Sequence, residues 1–210
     1  MRAMVIAVVS LKGGTGKTTM SGHLLAVLHE KGHKVLGVDA DEENQGLLIW
    51  GSLLRTPIIG MAVPTLHRQL PGVVGEDVDF VVLDTPPMKA AKGVVLSALR
   101  LADLVLIPCA PNTAEYNQVG PTVDLIAESA DLRPEGEAPP HVLVLTKCKA
   151  SAASPVAYRG LAESDGHVVA RSQIPDRERI IQSQSSAIVR AAAGPFGDLV
   201  DELGFAKVAA

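Results

Sequence analysis

Residues 4–19 read MVIAVVSLKGGTGKTT: a short apolar run, a glycine-rich segment, then a lysine and two threonines. The apolar run predicts a buried strand, and the apolar spacing after residue 17 predicts a helix that ends near Gly32. Glycines between a strand and a helix let successive backbone N–H groups turn inward around phosphate oxygens, and the helix N-terminus adds its partial positive charge. The stretch therefore predicts a phosphate-binding loop within an α/β fold.

Two lysines and a threonine in this loop carry the chemistry expected of a nucleotide phosphate site. Lys17 can reach the β- and γ-phosphates, and the Thr18 hydroxyl can ligate Mg²⁺. The usual pattern G-x-x-x-x-G-K-[ST] places a glycine at position 11, whereas this chain has Leu11 there and a second lysine, Lys12, beside it. The alternative is a glycine-rich turn with lysines by chance, and the flanking strand and helix argue against it.

Two other apolar runs end in carboxylates. Residues 35–38 lead to Asp39 and Asp41, and residues 80–83 lead to Asp84. Taken alone, an aspartate after a strand is usually only a turn or a helix cap. Because parallel sheets place their ligands at the carboxyl ends of the strands, the phosphate-binding loop favours a role for these carboxylates beside phosphate and Mg²⁺.

Short β-branched runs alternate with helical patterns along the whole chain, which is typical of βαβ units. We predict one domain over residues 1–210: α/β, with a mostly parallel twisted sheet of about seven strands and helices on both faces. The predicted strands are 4–9, 34–38, 58–63, 80–83, 104–107, 142–146 and 167–169. The predicted helices are 17–31, 90–101, 115–129, 154–164, 176–184 and 187–203.

Composition excludes several classes of protein. Hydrophobic residues make up 47% of the chain, but only six are aromatic, which argues against a stacking platform for single-stranded nucleic acid. The net charge of −4 excludes a global basic field. Cys109 and Cys148 form no ligand cluster, so a disulfide framework or zinc site is not expected. The apolar stretch 1–11 is too short to cross a bilayer, and we expect a cytoplasmic protein.

Four segments together resemble the ParA/MinD family of P-loop ATPases. Residues 12–18 (KGGTGKT) look like its deviant Walker A loop, and residues 39–41 (DAD) resemble its D-x-D switch I segment. Residues 84–87 (DTPP) resemble its D-x-P-P Walker B and switch II segment, and residues 102–108 (ADLVLIP) followed by Pro111 are similar to its next strand and loop. The likeness runs from about residue 4 to 185, and the length suggests the small ParA type without an N-terminal helix-turn-helix domain.

The resemblance implies a single-domain P-loop NTPase that binds ATP or ADP with Mg²⁺ and hydrolyses ATP. It implies that Lys12 crosses a dimer interface to the partner's nucleotide, that Lys17 neutralises the β/γ-phosphates, and that Asp41 orients the attacking water. Thr19 would support the α-phosphate, and residues 174–176 would frame the adenine. Implied nucleotide contacts are Lys12, Gly13, Gly14, Thr15, Gly16, Lys17, Thr18, Thr19, Pro175 and Asp176; implied magnesium contacts are Thr18, Asp39 and Asp84.

Switch I departs from the family pattern. Members usually continue this segment as D-P-Q, whereas Asp41 is followed here by Glu42, Glu43, Asn44 and Gln45. The proline is missing and the segment is one residue longer before Trp50. We therefore expect slow ATP hydrolysis, and the resemblance implies that an adaptor protein stimulates it.

The family's members differ in what they bind. ParA-like ATP-dependent homodimers bind DNA without sequence preference, while MinD-like members bind membranes through a basic amphipathic C-terminal helix. Residues 195–210 carry three acids against Lys207, a poor match for anionic lipid, whereas residues 147–190 carry seven basic and four acidic side chains. We expect a homodimer that binds DNA non-specifically, works with a ParB-like or other adaptor, associates with the nucleoid and binds no membrane.

The implied function is partition of plasmids or chromosomes by a switch that ATP assembles and hydrolysis resets. One alternative is a MinD-like or other ATPase that positions a protein complex. A metabolic P-loop ligase is another, although no distinctive acceptor motif is evident. Iron–sulfur relatives bridge a cluster with cysteines, but neither Cys109 nor Cys148 matches their cysteine context.

Overall fold

A computed structural model of the protein describes residues 2–205, apart from the side chains of Ile181 and Ser185. Lys207 of the acidic tail lies outside these residues. The described part contains six strands: β1 Met4–Val8, β2 Val35–Asp39, β3 Ile58–Gly60, β4 Phe80–Asp84, β5 Leu104–Cys109 and β6 His141–Leu145. They form one parallel sheet in the order β3-β2-β4-β1-β5-β6, which confirms the predicted fold class.

The sheet has six strands among residues 2–205 rather than about seven, because 167–169 does not extend into a ladder. Only Val169 pairs with β6, as an isolated bridge to Leu143. Beyond it, the backbone N–H groups of Arg171 and Ser172 donate to the carboxylate of Glu202, at 2.6 and 2.8 Å. The Ala170 N–H still donates to the Leu143 carbonyl of β6, but the next donor on that side, the Ser172 N–H, goes to a side chain instead of the sheet.

Helices cover both faces of the sheet, and prolines set two of the boundaries that differ from prediction. The helices are α1 Lys17–Glu30, α2 Gly46–Leu54, α3 Leu66–Gln69, α4 Lys92–Leu101, α5 Thr113–Tyr116, α6 Val119–Glu128, α7 Ser154–Ser164, α8 Glu178–Ile181 and α9 Pro195–Glu202. Pro121 and Pro195 lie in the first turns of α6 and α9, where no N–H partner is needed. The predicted helices 115–129 and 187–203 therefore break or shorten at a proline. The predicted helix 176–184 contains only α8 and a short 3₁₀ turn.

Alternate residues of β1 enter two separate cores. Val5 and Ala7 lie in the core on one face of the sheet, and Ile6 and Val8 lie in the core on the other. In the second core α2 packs against α1 through a close approach, because a Cβ at Gly22 would come within 2.2 Å of the Trp50 ring. This contact fixes α2, and with it residues 41–45, which precede that helix.

Strand register brings the predicted site residues to one edge. Val8 and Asp39 are both register partners of Asp84, so the loop after β1 and the ends of β2 and β4 lie side by side. β1 lies between β4 and β5, at the point where the connections turn from one half of the sheet to the other. Parallel α/β sheets bind ligands at such a point. None of the helices within residues 2–205 has the length and apolar character required to cross a membrane.

Candidate functional site

The phosphate-binding loop is held in shape by its own side chains. Ser10 Oγ lies 2.8 Å from Thr15 Oγ1 and donates to the carbonyl of Lys12 at 2.9 Å. Gly14 and Gly16 have φ angles of 77° and 98°, in the left-handed region that favours glycine. The loop thus has the backbone bends that a phosphate-binding hollow needs.

Lys17 is buried, and its ammonium points back into the loop. Nζ donates to the carbonyl of Lys12 at 3.1 Å and to Ser10 Oγ at 3.3 Å. Burial lowers the pKa of Lys17, and the charges of Asp84 and Asp41 oppose that shift. A phosphate in the hollow would replace the hydration that this ammonium has lost.

Lys12 differs from Lys17 in both its exposure and its hydrogen bonds. Its side chain is exposed, and within residues 2–205 its ammonium makes no hydrogen bond or ion pair. Only its carbonyl takes part in the loop, as the acceptor for Lys17 and Ser10. The two lysines are therefore divided between the interior and the outside of one loop.

Asp84 is buried beneath the loop with one oxygen unused. Oδ1 accepts from Ser21 Oγ at 3.1 Å, and Oδ2 has no hydrogen-bond partner among the described residues. Burial raises the pKa of Asp84 to about 7, although the neighbouring Thr18 hydroxyl and Lys17 act in the opposite direction. An unpaired buried carboxylate oxygen beside a threonine hydroxyl fits a hydrated Mg²⁺. This cation takes one or two carboxylates together with phosphates and waters.

Both carboxylate oxygens of Asp39 accept hydrogen bonds from the backbone that follows β2. Oδ1 accepts from the backbone N–H of Asp41 at 3.0 Å, and Oδ2 accepts from that of Leu48 at 2.9 Å. Burial raises its pKa. The carboxylate thus anchors the first turn of α2 to the end of β2. A magnesium role for Asp39 remains a prediction.

Asp41 caps the turn that follows it. Oδ1 accepts from the N–H groups of Glu43 and Asn44, both at 3.2 Å, and Oδ2 accepts from Asn44 Nδ2 at 2.9 Å. Gln45 then takes a left-handed φ of 46° before α2 begins. Glu43 and Asn44, in the segment where this chain departs from the family's D-P-Q, therefore donate to the Asp41 carboxylate that the resemblance expects to orient the attacking water.

A cleft of about 490 Å³ lies between the glycine-rich loop and residues 174–176. The glycine-rich loop, Thr18, Thr19 and Asp41 line the cleft. Pro175, Asp176 and Phe196 line it as well. The cleft brings together the predicted phosphate and adenine residues, while Asp84 and Lys12 lie outside its lining.

Sequence reasoning missed three polar residues of the site. Ser21 holds Asp84, Asn44 holds Asp41, and Lys147 donates to the carbonyl of Gly14 at 2.7 Å. Ser21 lies one helical turn after Lys17, so the helical period could have identified it. Lys147 follows β6 closely, at the same edge as the loop, but only the folded chain shows which backbone atom it meets.

The two cysteines are buried and offer little thiolate. Burial raises the pKa of Cys109 to about 12 and that of Cys148 to about 11. No group of three or more His, Cys, Asp or Glu side chains placed to hold a metal occurs in the described part of the chain.

Two curated relatives differ in how much of each protein the likeness covers. The Protein ParA of Rhizobium radiobacter is 33% identical over 129 residues, 60% of this chain but only 58% of that protein. The maintenance of carboxysome distribution protein A (McdA) of Halothiobacillus neapolitanus is 27% identical over 218 aligned positions, covering 96% of this chain and 97% of the relative.

Solved structures share the fold. The ATP complex of a single-substitution variant of Cyanothece McdA superposes with a TM-score of 0.70 at 19% identity, covering 99% of each chain. Cobyrinic acid a,c-diamide synthase of Mycobacterium smegmatis, with bound ADP and magnesium, gives 0.69 at 20% identity and covers 88% of this chain and 92% of that one. The predicted cofactors, ATP or ADP with Mg²⁺, are those that these structures hold.

One family model spans most of the chain. The CobQ/CobB/MinD/ParA nucleotide binding domain matches residues 6–188, a range that holds the loop, all three aspartates and residues 174–176. The chain belongs to this family of nucleotide-binding domains, within which the ParA/MinD members are ATPases.

Proposed function

We propose that this single-domain protein is an ATP-dependent dimerising switch that partitions or positions DNA. ATP with Mg²⁺ joins two copies, the dimer binds DNA without sequence preference, and slow, adaptor-stimulated hydrolysis resets it. The observation that carries the proposal is the opposite placement of two lysine side chains at one loop. Lys17 is buried with its ammonium inside the loop, and Lys12 is exposed at the same loop with no partner among the described residues.

Within residues 2–205 the ammonium of the exposed Lys12 has no contact in its own subunit. Lys17 already supplies the positive charge inside the loop, so a second ammonium at its outer side is free to meet another molecule's phosphates. In a sandwich of two copies, each Lys12 neutralises the nucleotide of the partner across the interface. ADP lacks the γ-phosphate and its charge, so the dimer weakens after hydrolysis.

The residues present fit a magnesium ion bound with the nucleotide. Mg²⁺ there would draw charge from the phosphate oxygens as the bond to the leaving group breaks. Thr18 would hold it through the hydroxyl, and Asp84 would accept from its water shell through the unpaired Oδ2. Ser21 keeps Asp84 oriented by its hydrogen bond to Oδ1.

Replacing Asp41 separates turn capping from a role in orienting water. Asparagine keeps an oxygen that can accept from Glu43 and Asn44, but it lacks the negative charge, whereas alanine removes both. If the carboxylate orients the water, Asp41→Asn and Asp41→Ala both lower ATP turnover by on the order of 10²-fold while ATP binding persists. Steady-state phosphate release measures turnover. Full activity of Asp41→Asn together with loss in Asp41→Ala would leave Asp41 as a turn cap only.

The DNA proposal is supported by basic side chains that have no partner within residues 2–205. Of the seven in residues 147–190, Lys147, Arg159 and Arg171 are engaged by neighbouring groups. Three others, Lys149, Arg177 and Arg179, line a groove beside the nucleotide cleft, and within residues 2–205 none of the three forms an ion pair or side-chain hydrogen bond. Pro175 lines both the groove and the cleft.

The test is a DNA-shift titration in ATP with Mg²⁺ and in ADP with Mg²⁺. Three cations in each subunit give about six phosphate contacts per dimer, so affinity for arbitrary duplex falls on the order of 10³-fold between about 50 and 200 mM salt. ADP gives little shift, since a monomer offers half the contacts. Equal shifts in both nucleotides would contradict a nucleotide-dependent DNA switch.

A second candidate is the positioning of a protein assembly. The McdA relative, named for carboxysome distribution, aligns along 97% of its length, whereas the ParA relative aligns along 58%. An ATP-dependent dimer that is indifferent to DNA would favour this alternative. A pulldown with the ATP-bound dimer would then identify the adaptor.

A further inference from the structure

Lys147 lies outside every motif that carries the family assignment, yet it reaches the phosphate-binding loop. It follows β6 and has a left-handed φ of 51°, a conformation that is strained for a residue other than glycine and persists only where the surrounding structure holds it. Its ammonium donates to the carbonyl of Gly14 at 2.7 Å and lies 3.4 Å from Glu115 Oε1. The strained backbone is thus paired with a specific contact at the loop.

Glu115, the second partner of Lys147, is held in place by the backbone that follows β5. Its second oxygen, Oε2, accepts from the backbone N–H of Ala110 at 2.7 Å, directly after β5. Its own N–H donates to Asn112 Oδ1 at 3.0 Å. One ammonium therefore ties together the loops that follow β1, β5 and β6.

The atom that Lys147 holds determines the direction of an N–H group. The carbonyl of Gly14 and the N–H of Thr15 belong to one planar trans peptide, so they point in opposite directions. Drawing the carbonyl toward Lys147 therefore turns the Thr15 N–H away from it. On the Thr15 side of this peptide, the Thr15 hydroxyl is hydrogen-bonded to the Ser10 hydroxyl. A glycine at position 14 does not fix the orientation by itself, because its backbone is permissive.

We propose that Lys147 is a positioning residue that orients the Gly14–Thr15 peptide, and thereby presents the Thr15 N–H to the β-phosphate. This inference rests on the proposed nucleotide binding, but not on dimerisation or DNA. The ion pair with Glu115 contributes little to folding, because the Lys147 side chain is 44% exposed. The proposed effect of the Lys147 ammonium is on the affinity for phosphate, which can be measured with ADP and with inorganic pyrophosphate.

The test compares the affinities of ADP and pyrophosphate, each with Mg²⁺, by calorimetry. Lys147→Met keeps the aliphatic stem and removes the ammonium, so both ligands bind about 10-fold more weakly, as for a lost charge-assisted hydrogen bond. Lys147→Arg restores part of both affinities. Lys92→Met is the matched control, since Lys92 is a half-exposed lysine paired with Glu128 at 2.8 Å, and it leaves both affinities unchanged.

A second variant keeps the inference testable if Lys147→Met does not fold. Glu115→Gln leaves Lys147 in place but loosens its position, and it weakens ADP and pyrophosphate by an equal, smaller factor of about 2–3. Loss of ADP affinity without loss of pyrophosphate affinity would place the contact on the ribose or base and overturn the inference. Unchanged affinity for both ligands would also overturn it. A wild-type protein that binds neither ligand would instead refute the proposed nucleotide function.

Discussion

Lys17→Ala is expected to weaken ATP binding by at least about 10-fold, or about 1.4 kcal/mol. The buried ammonium would supply charge-assisted hydrogen bonds to the β- and γ-phosphates, and within residues 2–205 the only other ammonium that contacts the loop is that of Lys147, on the Gly14 carbonyl. Calorimetry with ATP and Mg²⁺ measures the change. Unchanged affinity would show that the loop does not bind the phosphates.

Thermal unfolding without nucleotide is the control for this variant. Burial lowers the pKa of Lys17, which means that folding disfavours its charged form while no phosphate is bound. Removing the ammonium relieves a buried charge but also removes its hydrogen bonds to the Lys12 carbonyl and Ser10 Oγ, so the two effects oppose each other and a small change in Tm is expected. A large fall in Tm would instead attribute the lost affinity to a collapsed loop, and Lys17→Met would then be the variant to compare.

Lys12→Ala and Lys12→Gln are expected to abolish the ATP-dependent dimer and, with it, the DNA shift. Binding of ATP by the monomer should change little, because the Lys12 ammonium has no contact with its own loop among residues 2–205. The two variants thus separate nucleotide binding from assembly. Calorimetry measures the first property and light scattering the second.

An equally strong loss of ATP affinity in the Lys12 and Lys17 variants would contradict this separation. It would mean that Lys12 turns inward when nucleotide binds and serves its own subunit. Glutamine at position 12 keeps most of the side chain's length, so failure of Lys12→Gln to dimerise would point to the charge rather than to packing.

The sequence predicted the features that depend on short-range pattern. Residues 4–19 specify a strand, a glycine-rich bend and a helix, and the structure places them so. The ends of β2 and β4 meet because parallel register brings Asp39 and Asp84 together, a consequence of fold class that the motif order already implies. The family match over residues 6–188 agrees with the resemblance drawn from the same motifs.

Features that depend on tertiary contacts could not be predicted in this way. Helix α2 was missed, and its position is fixed by Trp50 packing over Gly22 on another helix. The seventh strand, 167–169, was expected from its β-branched pattern, but the N–H groups of Arg171 and Ser172 that follow it donate to Glu202, 31 and 30 residues further along the chain. Lys147 belongs to the same class, since its partner Gly14 is 133 residues away in the sequence.

The most direct test of the central claim is the mass of the wild-type protein in solution, measured by light scattering with saturating ATP and Mg²⁺ under slow-hydrolysis conditions. The proposed switch predicts a dimer of the 210-residue chain in ATP and a monomer in ADP. A monomer in both nucleotides, from protein that calorimetry shows to be saturated with ATP, would contradict it.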